Sequence, residues 1–105
     1  MDDTIKNIII FAANINETSY EAVMRGDRFL RPVRAKRMVV ALLISYGMSM
    51  IDVAEIFNLS GGHIRYSIKK HDEENKFDKV YKQTYYKLRK EYERMIEYGK
   101  DDNRD

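Results

Sequence analysis

The feature that most constrains the fold is a pair of short amphipathic segments, 50–57 and 61–70, separated by a brief turn. Ser49 can cap a first helix and Ser60 a second, because each hydroxyl can accept a hydrogen bond from an exposed backbone N–H. Ala54 is small enough to let the second helix approach the first. The apolar positions that two crossed helices would share are Val53, Phe57, Leu59, Ile64 and Ile68. This spacing predicts two helices packed across each other, as in a helix-turn-helix.

The outward face of the second segment is polar and cationic. It carries two adjacent glycines at its start, several hydrogen-bonding side chains and no acid. Its residues are Ser60, Gly61, Gly62, His63, Arg65, Tyr66, Lys69 and Lys70. A face of this composition at the start of a helix is typical of a surface that meets a polyanion.

The net charge of +2 conceals a division of the charges into blocks. Residues 25–37 carry six bases against Asp27, and 58–70 carry three bases and no acid, whereas 1–24 and 38–57 are acidic. The remaining segment, 71–105, has nine bases and ten acids. Two basic segments that flank an acidic helix predict a surface that contacts a polyanion at two points.

The remaining sequence predicts an all-α fold of about six helices in one domain, 1–98. Four helices lie outside the crossed pair, and the last is long. They are expected at 4–13, from a cap at Thr18 or Ser19 to Arg25-Gly26, at 34–46 and at 77–98, with a basic loop at 27–33, a charged connector at 71–76 and a disordered tail at 99–105. In the last helix the apolar stripe is expected to contain Phe77, Val80, Tyr81, Thr84, Leu88, Tyr92 and Met95.

Composition excludes several classes of protein. The chain has no cysteine, which excludes disulfides and thiolate metal sites, and no apolar run approaches the ~18 residues of a membrane span. The acidic start lacks the features of a signal peptide, so we expect a cytoplasmic protein, and its beginning at Met1 suggests a free-standing one. His63 is expected at a helix start and His71 beside a helix C-terminus. We expect no metal, no cofactor and no enzymatic activity.

Three stretches follow one another in a recognisable order: Asn14-Ile15-Asn16-Glu17, then Arg28, Arg31 and Arg34-Ala35-Lys36-Arg37, then Ser49-Met50-Ile51-Asp52-Val53-Ala54-Glu55-Ile56-Phe57. With the helices around them, from about Ile8 to Tyr92, they resemble the C-terminal DNA-binding domain of the bacterial replication initiator DnaA. That domain is a Trp-repressor-like helix-turn-helix. The resemblance implies double-stranded DNA as the partner and a role connected with the initiation of replication.

The chain departs from this family in the block that precedes and opens the recognition helix. The family has phenylalanine-glycine-glycine-arginine-aspartate-histidine-threonine-threonine-valine, whereas this chain has Phe57-Asn58-Leu59-Ser60-Gly61-Gly62-His63-Ile64. Because side chains on base edges set specificity, a target other than the family's initiator box is expected. The phosphate-binding motif Gly-x-x-x-x-Gly-Lys-Ser/Thr of an ATPase is absent from the sequence.

We therefore expect the helix that begins at Ser60 to enter the major groove of DNA with its N-terminal end toward the bases. The resemblance implies that the basic loop reaches the adjacent backbone or minor groove. The expected contact residues are Arg28, Arg31, Arg34, Lys36, Arg37, Ser60, Gly61, Gly62, His63, Arg65, Tyr66, Lys69 and Lys70.

Two alternatives belong to other classes of protein. The first is a protein-interaction module or homo-oligomer in which the last helix docks a partner through exposed Tyr81, Tyr85, Tyr86 and Tyr92. The second is a small hydrolase or nuclease, which needs converging carboxylates or histidines. The adjacent acids Asp72, Glu73 and Glu74 cannot share one helical face, which argues against the second alternative.

Overall fold

Helices account for all the regular structure in residues 1–102, which the computed structural model describes, with side chains through Glu97. In that range the chain forms α1 (Asp3–Ile15), α2 (Tyr20–Arg25), α3 (Leu30–Ser45), α4 (Met50–Phe57), α5 (Gly61–Phe77) and α6 (Lys79–Asp102). The predicted all-α class is confirmed. None of these helices combines the length and the apolar composition needed to cross a bilayer.

Each of the first four helices ends in the same way. The first or second residue after the helix adopts the left-handed conformation, and the backbone N–H of the residue after it returns to a carbonyl five residues upstream. The left-handed residues are Glu17, Gly26, Gly47 and Asn58, and the returning bonds, of 2.9–3.1 Å, are Thr18 to Ala13, Asp27 to Ala22, Met48 to Leu43 and Leu59 to Ala54. These closures turn the chain sharply, so that short connections can pack successive helices around one core.

α3 is the central helix of the fold. It packs against every other helix, and Met38, Val39 and Leu42 are completely buried. Its main neighbours in the core come from α1 and α5, represented by the buried Ile8 and Ile64. The two basic segments of the sequence are therefore held on a common apolar framework.

The predicted basic loop at 27–33 is shorter in the structure, because α3 begins at Leu30. Pro32 occupies the first turn of α3, where backbone N–H groups have no acceptor within the helix, so a proline costs no hydrogen bond there. As a result Arg31 lies on the helix and only Arg28 remains in the loop.

The predicted connector at 71–76 is wrong, because α5 continues without a break to Phe77. Ser67 and His71 are buried on its inner face. Glu74, one turn further, forms a salt bridge with Arg37 of α3. The charged residues that suggested a connector are thus the solvated and ion-paired sides of a packed helix.

The start of α6 also differs from the prediction. Asp78 ends α5, and its side chain accepts from the Tyr81 N–H at 3.0 Å, which begins a new helix at Lys79. Phe77 and Val80, predicted to be on the apolar stripe, are 79% and 66% exposed. The buried stripe instead contains Tyr81, Tyr85 and Leu88, with Tyr92 and Met95 partly buried.

This burial bears on the interaction-module alternative, which needs exposed tyrosines on the last helix. Tyr81 is 1% and Tyr85 8% exposed, so neither can meet a partner. Tyr92 is partly buried and Tyr86 is 52% exposed. The tail predicted at 99–105 stays a prediction: α6 continues to Asp102, and residues 103–105 lie outside the described residues.

Candidate nucleic-acid interface

α4 and α5 meet across a three-residue turn, and each begins at a serine cap. The hydroxyls of Ser49 and Ser60 each accept a hydrogen bond of 3.1 Å from the backbone N–H three residues later. In the turn, Asn58 has a φ of 54°, and the Leu59 N–H returns to the Ala54 carbonyl at 2.9 Å. Val53, Phe57 and Ile64 close the pair with buried side chains. Local sequence thus fixes how α5 leaves α4.

The first three turns of α5 present a basic surface to solvent. Gly61, Gly62, His63, Arg65, Tyr66 and Lys69 are all exposed. Lys70 is partly buried, and its ammonium group lies 3.4 Å from Glu73. The sequence has no Asp or Glu between Glu55 and Asp72. Acids therefore appear on α5 only beyond this surface.

The two glycines at the start of α5 are not required by internal packing. A Cβ added at Gly61 would come no closer than 3.8 Å to another atom, the nearest being Nη1 of Arg65. At Gly62 the nearest atom would be the Ser60 hydroxyl at 4.0 Å. Because nothing within the protein fills this space, a ligand can approach the backbone N–H groups of the first helical turn.

A groove of about 710 Å³ joins the two basic segments of the sequence. The loop after α2 forms one wall, α3 the floor, and the end of α4 with the start of α5 the other wall. Its polar and charged lining comprises Arg25, Asp27, Arg28, Lys36, Arg37, Asn58, His63, Tyr66 and Ser67. The groove thus brings Arg28 and Lys36 to the same surface as the exposed start of α5.

The acid in this lining is already neutralised within the protein. Arg25 donates two hydrogen bonds, of 2.8 and 2.7 Å, to the carboxylate of Asp27. This contact lowers the pKa of Asp27, so the carboxylate stays ionised and paired. The charge that remains toward the groove is positive.

Lys36 is the partly buried cation of the groove. Among the residues with described side chains, no carboxylate lies within 4.0 Å of its ammonium group. Burial, and then the neighbouring charge of Arg37, lowers the pKa of Lys36. A lysine that has lost part of its hydration without gaining a carboxylate is placed to gain from an anion in the groove.

Two other bases of α3 are engaged inside the protein. Arg37, whose side chain is only 12% exposed, pairs with Glu74 at 2.5 Å. Arg34 lies 3.3 Å from Asp78 and 3.8 Å from Glu74. These contacts tie α3 to the end of α5 and the start of α6, so both arginines orient helices, and Arg37 contributes only its small exposed fraction to the lining of the groove.

Arg31 is separated from the groove. Its guanidinium is exposed and lies 3.3 Å from Glu17, in the turn between α1 and α2. It borders shallow depressions formed with Phe29 and Thr18 on one side and Ile15 on the other. Of the predicted loop contacts, only Arg28 therefore shares a surface with α5.

The groove also contains residues that the sequence did not single out as contacts. Arg25 and Asp27 form its rim, and Asn58 of the α4–α5 turn lies opposite. Arg25 belonged to the basic segment, but its pairing with Asp27 depends on the left-handed Gly26 between them. The sequence alone does not show whether Arg25 and Asp27 form an ion pair or are each free to bind a ligand.

No protein-family model, no curated protein and no solved structure matches this chain.

Proposed function

We propose that this protein is a sequence-specific double-stranded DNA-binding protein with a helix-turn-helix related to that of the replication initiator DnaA. The observation that best supports this proposal is the groove, in which Arg28 and Lys36 share a surface with His63 and Tyr66 of α5. A basic loop beside the exposed start of a helix is an arrangement that can read one groove of DNA and hold the adjacent backbone.

In this proposal the first three turns of α5 enter the major groove, which is wide enough to admit an α-helix. Arg65, exposed one turn into α5, reaches base edges, where an arginine can donate two hydrogen bonds to guanine. His63 and Tyr66 lie beside it. Lys69 and Lys70, a turn further, contact phosphates.

The remaining contacts grip the backbone. The backbone N–H groups left uncovered at Gly61 and Gly62 donate hydrogen bonds to a phosphate at the start of α5, next to the Ser60 cap. Arg28 and Lys36 hold the flanking phosphates, or Arg28 extends into the minor groove. Arg34 and Arg37 position helices through Glu74 and Asp78, and Arg31 lies outside the interface.

The test compares three variants that each remove one cation. A selection from random duplexes first defines the preferred site, and fluorescence anisotropy then measures affinity for it and for a scrambled duplex at several salt concentrations. Arg65→Ala is expected to cost about 1–3 kcal/mol at the preferred site and to blur preference at one or two base pairs. Arg28→Ala is expected to weaken both duplexes and to reduce the magnitude of the salt slope by about one unit.

Arg31→Ala is the matched control, since its side chain is 64% exposed and carries the same charge outside the groove. It is expected to bind like the wild type. All three variants should melt within a few degrees of the wild type, because none of these side chains is in the core. Unchanged affinity in both Arg65→Ala and Arg28→Ala would contradict the proposed function.

A further inference from the structure

The first half of α6 carries a basic surface that the proposed function does not use. Residues 79–90 contain five bases and no acid, whereas 91–102 contain five acids and two bases. The exposed side chains that share one face at helical spacing form what we call the α6 strip, with the exposed Val80 and Arg89 outside it: Lys79, Lys82, Gln83, Tyr86, Lys87 and Lys90. The net charge of residues 71–105 does not show this strip, because acids elsewhere in the segment offset its positive charge.

The order of charges along α6 is opposite to the one that stabilises a helix. The N-terminal end of a helix carries a partial positive charge, which favours acids there and bases at the other end. Asp78, which caps α6, is itself shared with Arg34. Lys90 precedes its partner Glu93, which is the weaker orientation for an ion pair on a helix. A departure from helix-stabilising rules over half a helix is typical of a functional surface.

The strip is built to meet a polyanion. Among the residues with described side chains, Lys79, Lys82 and Lys87 have no carboxylate within 4.0 Å. The ammonium of Lys90 lies 5.3 Å from the ring centre of the exposed Tyr86. Between positions 79 and 90 the cations span about 16 Å, and duplex DNA presents about one charge for every 1.7 Å of its axis. Several phosphates therefore fall within reach of the strip.

A lipid surface fits this strip less well than DNA does. Amphipathic helices bind membranes by inserting an apolar face. In α6 most of that face is buried in the core, where Tyr81 is 1% and Leu88 0% exposed, and the exposed Val80 is a single small apolar side chain. Charge is thus what the strip offers, and a phosphate backbone is the partner that charge alone can bind.

The strip and the groove lie on different sides of the molecule. Lys36 of α3 lines the groove, whereas Met38 borders a depression with Tyr81 and Thr84 of α6. Two residues along a helix correspond to a turn of about 200°, so these two side chains leave α3 in nearly opposite directions. The strip is on the face of α6 opposite the buried Tyr81 and Leu88, so it points away from the core, and none of its residues lines the groove.

We propose that the α6 strip binds the phosphate backbone of a second segment of double-stranded DNA, so that one molecule joins two segments. The first segment, in the groove, rests on the proposed function, whereas binding at the strip does not. The strip makes no base-specific contact, and its affinity falls with salt.

The test is a bridging assay with the full chain, in which bead-bound duplex captures a fluorescent second duplex. The wild type is expected to capture it. The triple variant Lys79→Gln/Lys82→Gln/Lys87→Gln is expected to lose capture, while anisotropy still shows binding of the preferred duplex. Its total salt slope for non-specific DNA should fall in magnitude by about 2 to 3 units.

Two matched controls separate charge from other effects. Lys79→Arg/Lys82→Arg/Lys87→Arg keeps the charges and should bridge, and Lys6→Gln/Arg31→Gln removes two cations elsewhere and should also bridge. The triple glutamine variant should melt within a few degrees of the wild type, since all three side chains are exposed. The melting temperature therefore shows whether a variant that fails to capture the second duplex has simply unfolded.

Other results would overturn the inference. No capture by the wild type, or undiminished capture by the triple glutamine variant, would exclude a second DNA segment at the strip. Strip-dependent binding to phosphatidylserine vesicles without capture of DNA would assign the strip to a membrane instead. The variant Arg28→Ala/Arg65→Ala separates the two proposals: if it keeps all DNA binding and the triple variant abolishes it, the groove proposal fails while the strip remains.

Discussion

Neighbouring basic residues of α3 have different roles because of partners distant in sequence. Lys36 faces the groove without a carboxylate, whereas the adjacent Arg37 pairs with Glu74. Both belong to one basic segment, and from the sequence both were expected at DNA. A pattern of charges identifies the segment, but only the packing of α5 on α3 decides which cation is free.

His71 shows the same dependence on packing. The sequence predicted a side chain beside a helix end, but His71 is 5% exposed, and its Nδ1 lies 2.7 Å from the hydroxyl of Tyr81. Its ring also packs edge-on against Tyr85, with 4.3 Å between ring centres. Because α5 runs on beyond the predicted end, this histidine joins α5 to α6 inside the core.

Burial of His71 makes the stability of the protein depend on pH. Burial lowers the pKa of His71 to about 4 from the usual 6.5, so between these values the unfolded chain binds a proton that the folded chain does not. The free energy of unfolding should therefore be highest above pH 6.5 and fall by about 3 kcal/mol as the pH drops to about 4. Urea denaturation at intervals from pH 7.5 to pH 4 measures this loss.

The matched variants are His71→Asn and the exposed His63→Asn. His71→Asn is expected to be less stable at neutral pH and to lose most of the dependence between pH 6.5 and about 4, whereas His63→Asn keeps it. Equal pH dependence in His71→Asn and the wild type would show that another group is responsible.

At the scale of elements, the sequence predicted well where its signals are local. The caps Ser19, Ser49 and Ser60 and the stops at Gly26 and Gly47 lie close to the expected boundaries. These signals depend on the residue and its immediate backbone.

The errors occur where tertiary contacts decide. The helix expected at 34–46 begins four residues earlier, at Leu30, with Pro32 in its first turn. The continuation of α5 to Phe77 is held by contacts of His71 and Glu74 with other helices, and so could not be inferred from the charged run 71–76. The groove could be anticipated as two basic segments, but not which side chains line it.

The closure of α1 contains a correctable strain. Glu17 adopts a φ of 58°, a conformation that costs a residue with a Cβ about 1–2 kcal/mol but that glycine tolerates. Glu17→Gly should therefore raise the free energy of unfolding by about 0.5–1 kcal/mol, after allowing for the greater entropy of glycine in the unfolded chain. Thermal denaturation measures the effect.

Glu17→Ala is the control for this change. It removes the exposed contact with Arg31, which contributes little, but keeps a Cβ in the left-handed conformation. We expect it to be no more stable than the wild type. A glycine variant that melts at or below the alanine variant would show that the strain is not significant.

At the scale of the whole molecule, the net charge of +2 is less informative than the distribution of charges. The principal extents are only 43 × 29 × 23 Å, yet the exposed cations fall into separate clusters, since no residue of the α6 strip lines the groove. Acids are concentrated elsewhere, or are paired as Asp27 and Glu74 are. Binding to a polyanion should thus reflect local clusters of cations more than the overall charge.

The number of counterions released on binding measures how many clustered cations contact the DNA. In the variant Lys79→Gln/Lys82→Gln/Lys87→Gln, the cations expected on one duplex are Arg28, Lys36, Arg65, Lys69 and Lys70, all at the groove or the start of α5. Five phosphate contacts give a slope of log K against log salt of about −4 to −5. Fluorescence anisotropy on a short duplex over a range of salt concentrations gives the slope. A magnitude of about two or less would mean that overall charge, and not this assembled surface, governs the association.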